Sequence, residues 1–213
     1  MSAKIISYTT SIKNSTDSLI DIIAYTARVS NPANQHNTST NEKLVKYLAK
    51  NHHWSPFEMV NICIEIKTTR DIARQILRHR SFSFQEFSQR YAKVNDEFII
   101  RDARLQDKKN RQNSIELEDE SLNNEFKNKQ SIIADQISEL YNWALSKGIA
   151  KECARVVLPE GMTSSTLYMN GSLRSWIHYL NLRKSNGTQL EHMQMANLIS
   201  KEIYKIFPMI NEF

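Results

Sequence analysis

The segment at residues 78–90 carries the side chains that a phosphorylated ligand needs. It reads RHRSFSFQEFSQR. Guanidinium groups present hydrogen-bond donors in a rigid fork that matches phosphate oxygens. Glu86 adds acceptors and Ser88 adds a donor, and these two could fix a sugar or a base. The segment therefore predicts a site for an anion.

A helix must position this segment from its N-terminal side. Arg70, Arg74 and Arg78 are spaced four residues apart, so a helix would stack them on one face. The same stretch carries an apolar stripe made of Ile72, Ala73, Ile76 and Leu77. The stripe predicts a helix that packs against a core, with the RHR triplet at its C-terminal end.

The positive charge of the chain is concentrated in this region. Between residues 70 and 93, six basic residues face two acidic ones, which accounts for +4 of the formal net charge of +5. A local excess indicates an anion site rather than a generally basic surface. Arginines on a helix also commonly form a solvated face with local ion pairs, and that interpretation stays open here.

A nucleic-acid-binding module is the alternative function. The basic helices could contact a phosphate backbone, and Phe82, Phe84 and Phe87 could contact bases. Against this, the arginines lie in packed segments, and Glu86 would repel a phosphate backbone. We therefore expect small-molecule substrates and no nucleic acid.

Length and composition narrow the class of protein. The 213 residues are 40% hydrophobic and 24% charged, which predicts one globular domain over residues 1–213. No apolar run has the length of a membrane span and no signal peptide is recognisable, so we expect a cytoplasmic protein without a membrane partner. Only four glycines occur, and neither G-x-G-x-x-G nor a Walker loop can be built from them. Side chains must therefore hold any bound nucleotide.

The histidines and cysteines predict no metal site. The histidines lack the H-x-x-x-H and H-E-x-x-H spacings, and no Asp or Cys completes a ligand set. Cys63 and Cys153 each have apolar neighbours, which predicts two buried free thiols. A catalytic thiol stays open at this point.

The hydrophobic periodicity predicts an α+β fold. Strands are indicated at 4–8, 60–67 and 163–169, and 91–100 is compatible with another. Thr68 or Thr69 would cap the arginine helix, and Asn41 would cap another helix. Further helices are indicated at 18–29, 131–146, 149–157, 172–182 and 188–207. Residues 101–130 balance seven positive against seven negative residues, which predicts a flexible or peripheral insertion.

The chain resembles the flavin-dependent thymidylate synthases. The hallmark of that family is RHR, seven residues and Ser, which stands here as Arg78-His79-Arg80 through Ser88. The other matching blocks are Ala27-Arg28-Val29-Ser30, His53 with Ser55-Pro56-Phe57-Glu58, Arg155-Val156-Val157-Leu158-Pro159, and Arg174 through Arg183. They extend from Ser30 almost to the last helix.

The resemblance implies a fold and a chemistry. It implies a mixed α+β fold with a central, mostly antiparallel sheet flanked by helices, and a homotetramer whose active sites are shared between subunits. Members methylate dUMP to dTMP in de novo dTMP biosynthesis. In that reaction 5,10-methylenetetrahydrofolate supplies the carbon, NADPH supplies reducing equivalents, and FAD mediates the hydride transfer.

The resemblance also implies site residues. The implied dUMP site comprises Gln75, Arg78, Glu86, Phe87, Ser88, Gln89, Arg90, Arg155 and Arg183. The implied FAD site comprises Ser55, Arg78, His79, Arg80, Glu86, Arg174 and His178, with His53, Ser30 and Ser172 as further candidates. Ser172 stands where some members carry an asparagine.

Arg183 is the expected catalytic residue. A guanidinium near N3 and O2 of uracil would stabilise negative charge there and make C5 a better nucleophile. Arg90 and Arg155 suit the phosphate. The resemblance implies that no enzyme nucleophile attacks the uracil ring, which agrees with a structural role for Cys63 and Cys153.

Overall fold

A four-stranded antiparallel sheet organises the chain, whose computed structural model describes residues 1–94 and 97–213. Its strands are β1 (Ser2–Tyr8), β2 (Asn61–Thr69), β3 (Ser83–Glu86) and β6 (Ser164–Ser172). In space they follow the order β1-β2-β6-β3. Two short strands, β4 (Arg104–Gln106) and β5 (Ser114–Glu116), pair in a separate hairpin. The predicted α+β class with an antiparallel central sheet is confirmed.

The described residues contain seven α-helices. These are α1 (Leu19–Ala27), α2 (Asn41–Lys50), α3 (Arg70–Ile76), α4 (Glu120–Ser146), α5 (Lys151–Ala154), α6 (Leu173–Arg183) and α7 (Leu190–Tyr204). Short 3-10 turns add Arg28–Ser30, Pro32–Asn34, Ser55–Met59, Arg155–Val157 and Pro208–Glu212. No helix in the described part of the chain is long and apolar enough to cross a membrane.

The main core lies between one face of the sheet and the helices. Ile62, Ile64 and Ile66 alternate along β2 and are fully buried, since every second residue of a strand faces the same side. Trp176 of α6 is also fully buried, and its Nε1 donates to the carbonyl of Ile62 at 3.1 Å. This bond satisfies the indole N–H and fixes α6 across the sheet.

The arginine helix α3 follows β2 without a loop. Thr69 is its N-cap, as the sequence predicted, but its hydroxyl donates to the Asp71 carboxylate rather than accepting from the backbone. The backbone N–H of Arg70 donates to the carbonyl of Thr163, which ties the start of α3 to the segment before β6. The helix ends at Ile76, so the RHR triplet lies in the turn after it. This turn, rather than the helix itself, therefore positions Arg78, His79 and Arg80.

Two predicted helix starts are wrong, and one predicted strand is not found in the described residues. Asn41 is the first residue of α2 and not its cap, because Thr40 holds that position while the buried Asn41 amide accepts from Arg28 at 2.6 Å. Helix α4 begins at Glu120, with Asp119 as its cap, rather than at residue 131. No strand occurs in the described part of 91–100, and Asn95 and Asp96 lie outside the described residues.

The cysteine prediction needs a correction. Cys63 is half-buried on β2, but Cys153 is exposed on α5, and both are free thiols. The neighbours of Cys153 explain the error, because Ala154 faces the small core under α4, whereas Val156 is 85% exposed. An apolar sequence neighbourhood does not bury every member of a one-turn helix.

Candidate functional site

The predicted catalytic arginine contacts the middle residue of the RHR turn. Arg183 is the last residue of α6, and its Nε donates to Nε2 of His79 at 2.9 Å. Burial, followed by the positive charge of Arg183, lowers the pKa of His79 to about 4. His79 is therefore neutral near pH 7 and can accept this bond. Among the described residues, the two terminal nitrogens of Arg183 form no hydrogen bond or ion pair.

Gln75 lies in the same neighbourhood. Its Oε1 is 3.1 Å from Nδ1 of His192, and its Nε2 donates to Oε1 of Gln189 at 2.7 Å. The rings of His79 and His192 are 6.4 Å apart, and Tyr179 packs against both. The structure thus brings Gln75 and Arg183, from the implied dUMP site, together with His79, from the implied FAD site.

Glu86 is held by residues of its own chain. Its side chain is 15% exposed, accepts from the Ser165 hydroxyl at 2.9 Å, and lies 3.4 Å from Arg70 and 3.9 Å from Arg74. The predicted stacking of Arg70 and Arg74 on one helix face is present, with Glu86 between them. Arg78 lies beyond the helix and is exposed.

Ser88 and Arg90 line a surface groove of about 390 Å³. The other lining residues are Tyr91 and Ala150, Lys151 and Glu152. Arg90 forms an ion pair with Glu152, with its terminal nitrogen 3.1 Å from the carboxylate.

Three more predicted dUMP residues flank this groove in the chain. Gln89 is buried, and its Nε2 has no hydrogen-bond partner among the described residues. Phe87 is 37% exposed, and half-buried Arg155 opens the 3-10 turn that follows α5.

A second group of predicted residues meets where α6 begins. Arg174 contacts Glu58 at 2.5 Å, and His178 packs edge-on against Trp54, with ring centroids 5.1 Å apart. Exposed His53 and Ser55 flank Trp54 in the chain. Burial, followed by the charge of Arg174, lowers the pKa of His178. This face combines positive charge with aromatic rings.

The two groups are connected through the start of α6. Ser172 caps the helix by accepting from the Ser175 backbone N–H at 3.3 Å. The Ser175 hydroxyl donates to the carbonyl of Ser81, directly after the RHR turn. Arg80 is exposed at that turn. Ser30 lies elsewhere, in a groove between α1 and α2, and the described contacts do not join it to either group.

Sequence reasoning did not assign the residues behind Gln75. Tyr179 and His192 are buried, and Gln189 and Glu191 are half-buried at the start of α7. Of these residues, only His192 belongs to a recognisable sequence pattern. It falls on the apolar stripe of α7 with Met195, Ala196 and Ile199, which is a pattern typical of a core residue. No group of three or more His, Cys, Asp or Glu side chains within the described residues could hold a metal ion.

A larger cavity adjoins these residues. It measures about 1050 Å³ and lies between the β4–β5 hairpin and residues 185–191. Its two arginines are already paired: Arg101 with Asp71 at 2.8 Å, and Arg104 with Glu191 at 2.7 Å. These pairs attach the 101–117 segment to the wall of the candidate site.

Comparison with known proteins defines the class of this fold. The chain superposes on a solved structure described as a UMP/dUMP methylase PolB from Streptomyces cacaoi bound with 5-Br dUMP. The TM-score is 0.84 at 25% sequence identity, and the match covers 99% of this chain and 93% of the other. The fold is therefore that of a nucleotide methylase.

Sequence relatives give the family. The family model described as "Thymidylate synthase complementing protein" matches residues 10–209. A Paramecium bursaria Chlorella virus 1 protein named "Probable flavin-dependent thymidylate synthase" is 50% identical over 99% of this chain and 97% of its own. A Synechocystis flavin-dependent thymidylate synthase is 51% identical over 89% of this chain and 86% of its own. The chain belongs to the flavin-dependent thymidylate synthase family and is an enzyme.

Proposed function

We propose that this chain methylates dUMP to dTMP, with 5,10-methylenetetrahydrofolate as carbon donor, NADPH as reductant and FAD as bound cofactor. The transferred methylene group is reduced to a methyl group, so the co-products are tetrahydrofolate and NADP⁺. Family membership supports the reaction. The contact between Arg183 and His79 is the structural observation that carries it.

Arg183 is the proposed catalytic residue. His79 occupies its Nε, which sets the plane of the guanidinium and leaves both terminal nitrogens as donors. Directed at N3 and O2 of uracil, they stabilise the negative charge on that edge of the ring. The charge makes C5 nucleophilic without an enzyme nucleophile.

The remaining proposed dUMP contacts divide by chemistry. Arg78, Arg90 and Arg155 suit the phosphate, while Ser88 and Glu86 suit the sugar hydroxyl or the base. The buried amide nitrogen of Gln89 needs an acceptor, which a ligand or a second subunit would supply. Gln75 and Phe87 complete the proposed set.

The proposed flavin residues have suitable chemistry for a dinucleotide. Bound FAD would supply hydride transfer from NADPH. Arg78, Arg80 and Arg174 offer positive charge for its pyrophosphate, and the Trp54–His178 pair offers an aromatic surface. The set is completed by Ser55, His79, Glu86, His53, Ser30 and Ser172.

A homotetramer is proposed from the surface of α4. Leu122, Phe126, Ile133 and Leu140 repeat every four or seven residues along this helix and are between 43% and 51% exposed. An apolar stripe of this spacing suits a partner helix. We propose that four chains bury it and share their active sites. The free thiols of Cys63 and Cys153 suit the reducing cytoplasm, our proposed location.

Substitution of Arg183 tests the proposal. Arg183→Ala should still allow NADPH to reduce the flavin but should lower dTMP formation by roughly 10²–10³-fold, as expected when a charge-stabilising donor is lost. Lys184→Ala, one position later, is the matched control and should turn over normally. Wild-type rates of dTMP formation in Arg183→Ala would reject the catalytic role.

A further inference from the structure

A chain of hydrogen bonds runs behind Gln75, from the β4–β5 hairpin to the core. We call it the Gln75 relay, and its members in order are Arg104, Glu191, Gln189, Gln75, His192 and Tyr179. Each link is between 2.7 and 3.1 Å long. Neither the catalytic role of Arg183 nor the flavin site accounts for it.

The charged end of the relay determines which atom donates and which accepts in each of its hydrogen bonds. Arg104 binds the Glu191 carboxylate with two nitrogens, at 2.7 and 3.1 Å. Burial would raise the pKa of Glu191, but hydrogen bonds from Arg104 and Gln189 hold it below its usual range. The carboxylate is therefore ionised near pH 7 and can only accept. Gln189 must turn its Nε2 toward Glu191, at 2.9 Å, and its Oε1 toward Gln75.

The direction continues to the buried end. Because Gln189 presents an oxygen, Gln75 must present its Nε2 there and its Oε1 to His192. His192 must then carry its proton on Nδ1, which leaves Nε2 to accept from the Tyr179 hydroxyl at 3.1 Å. A reversed amide at Gln75 would force two oxygens together at Gln189 or at Glu191. The relay thus has one consistent orientation.

We propose that His192 is a positioning residue for Gln75, and that the relay holds the Gln75 amide with a spare N–H directed at a carbonyl oxygen of the substrate. One hydrogen of Nε2 goes to Gln189, and the second remains available. The inference rests on the proposed function, in which Gln75 contacts dUMP. A preoriented amide binds its ligand without losing freedom on binding, which favours affinity.

Substitution of His192 tests the positioning role. His192→Asn keeps a donor where Nδ1 lies, whereas His192→Leu leaves Oε1 of Gln75 without one. We expect His192→Leu to raise the KM for dUMP roughly tenfold at nearly unchanged kcat, flavin content and flavin reduction by NADPH. His192→Asn should stay within roughly twofold of wild type.

A double substitution tests the direction of the relay without any substrate. Gln75→Glu puts a carboxylate against the oxygen of Gln189 and should lower the Tm. Adding Glu191→Gln allows Gln189 to turn over, so that it donates to position 75 and accepts from position 191. The Tm of the double variant should be roughly 2–8 °C higher than the sum of the two single-substitution effects predicts.

The possible failures are distinguishable. If the wild-type protein makes no dTMP, the proposed function fails, while the Tm cycle still decides whether the relay has a direction. If dTMP is made but His192→Leu and His192→Asn share one KM, the positioning role is overturned. Should His192→Leu not fold, additive Tm values in the Gln75 and Glu191 cycle would overturn the relay.

Discussion

Arg90 and Glu152 form an ion pair across the groove proposed for the substrate phosphate, with 3.1 Å between Nη2 and the carboxylate. Both side chains are more than half exposed, so the pair contributes little to stability. A phosphate dianion would compete with Glu152 for the same guanidinium. If Arg90 binds the substrate phosphate as proposed, the Glu152 carboxylate opposes that binding.

Removal of the Glu152 charge should strengthen substrate binding. We expect Glu152→Gln to lower the KM for dUMP by roughly two- to fivefold, since Arg90 loses a competing anion. The matched control is Glu160→Gln, which removes the partner of Arg74 at 3.0 Å, outside the groove. A rise in KM for Glu152→Gln, measured at constant ionic strength, would contradict the phosphate role of Arg90.

Stability should fall in mild acid because two histidines are held neutral. Burial, followed by the charge of Arg183, lowers the pKa of His79 to about 4 and that of His192 to about 3, with the charge of His79 a further cause for His192. The unfolded chain binds these protons from about pH 6.5 downward, so stability is complete above that pH and is lost as pH falls toward 4.

The slope of stability with pH measures this effect. Urea unfolding between pH 4.5 and 8 should show His192→Asn taking up about one proton fewer on unfolding in acid than wild type. His36→Asn, which replaces an exposed histidine, is the control for the change of residue type. A slope that is the same in wild type and His192→Asn would contradict the neutral, buried state of His192.

Gly171 provides the space for a ring beside the RHR turn. A Cβ at this position of β6 would lie 2.7 Å from Cε1 of Phe82, which packs on Trp176 with ring centroids 4.8 Å apart. Gly171→Ala must therefore displace a core aromatic residue and should cost about 1–3 kcal/mol of unfolding free energy.

Gly161 is the matched control for that substitution. The nearest atom to a Cβ at Gly161 would be an Asp71 oxygen at 3.9 Å, which is ordinary contact. Gly161→Ala should leave the denaturant midpoint almost unchanged. If the two alanine variants had equal midpoints, the close approach of Phe82 to the strand would be wrong.

The regular elements were predictable because their patterns are local. The alternation at Ile62, Ile64 and Ile66 identified β2, and the arginine spacing with its apolar stripe identified α3. The short strands β3, β4 and β5 were missed, since three or four residues give too little periodicity and their pairing is not local.

The candidate site was predictable only in part. The family resemblance identified Gln75, His79 and Arg183, and the fold brings them together. Their supporting contacts were not predictable, because the apolar stripe of α7 makes His192 resemble a core residue. Arg101 and Arg104 were missed because the pairs with Asp71 and Glu191 join distant segments.

The visible spectrum of the purified protein tests the central claim most directly. Flavin bands should be present or appear after added FAD, bleach with anaerobic NADPH, and return only when dUMP and methylenetetrahydrofolate are both supplied, with dTMP formed. A colourless protein that takes up no FAD would contradict flavin-dependent methylation of dUMP. A reduced flavin that is not reoxidised when both substrates are added would contradict it as well.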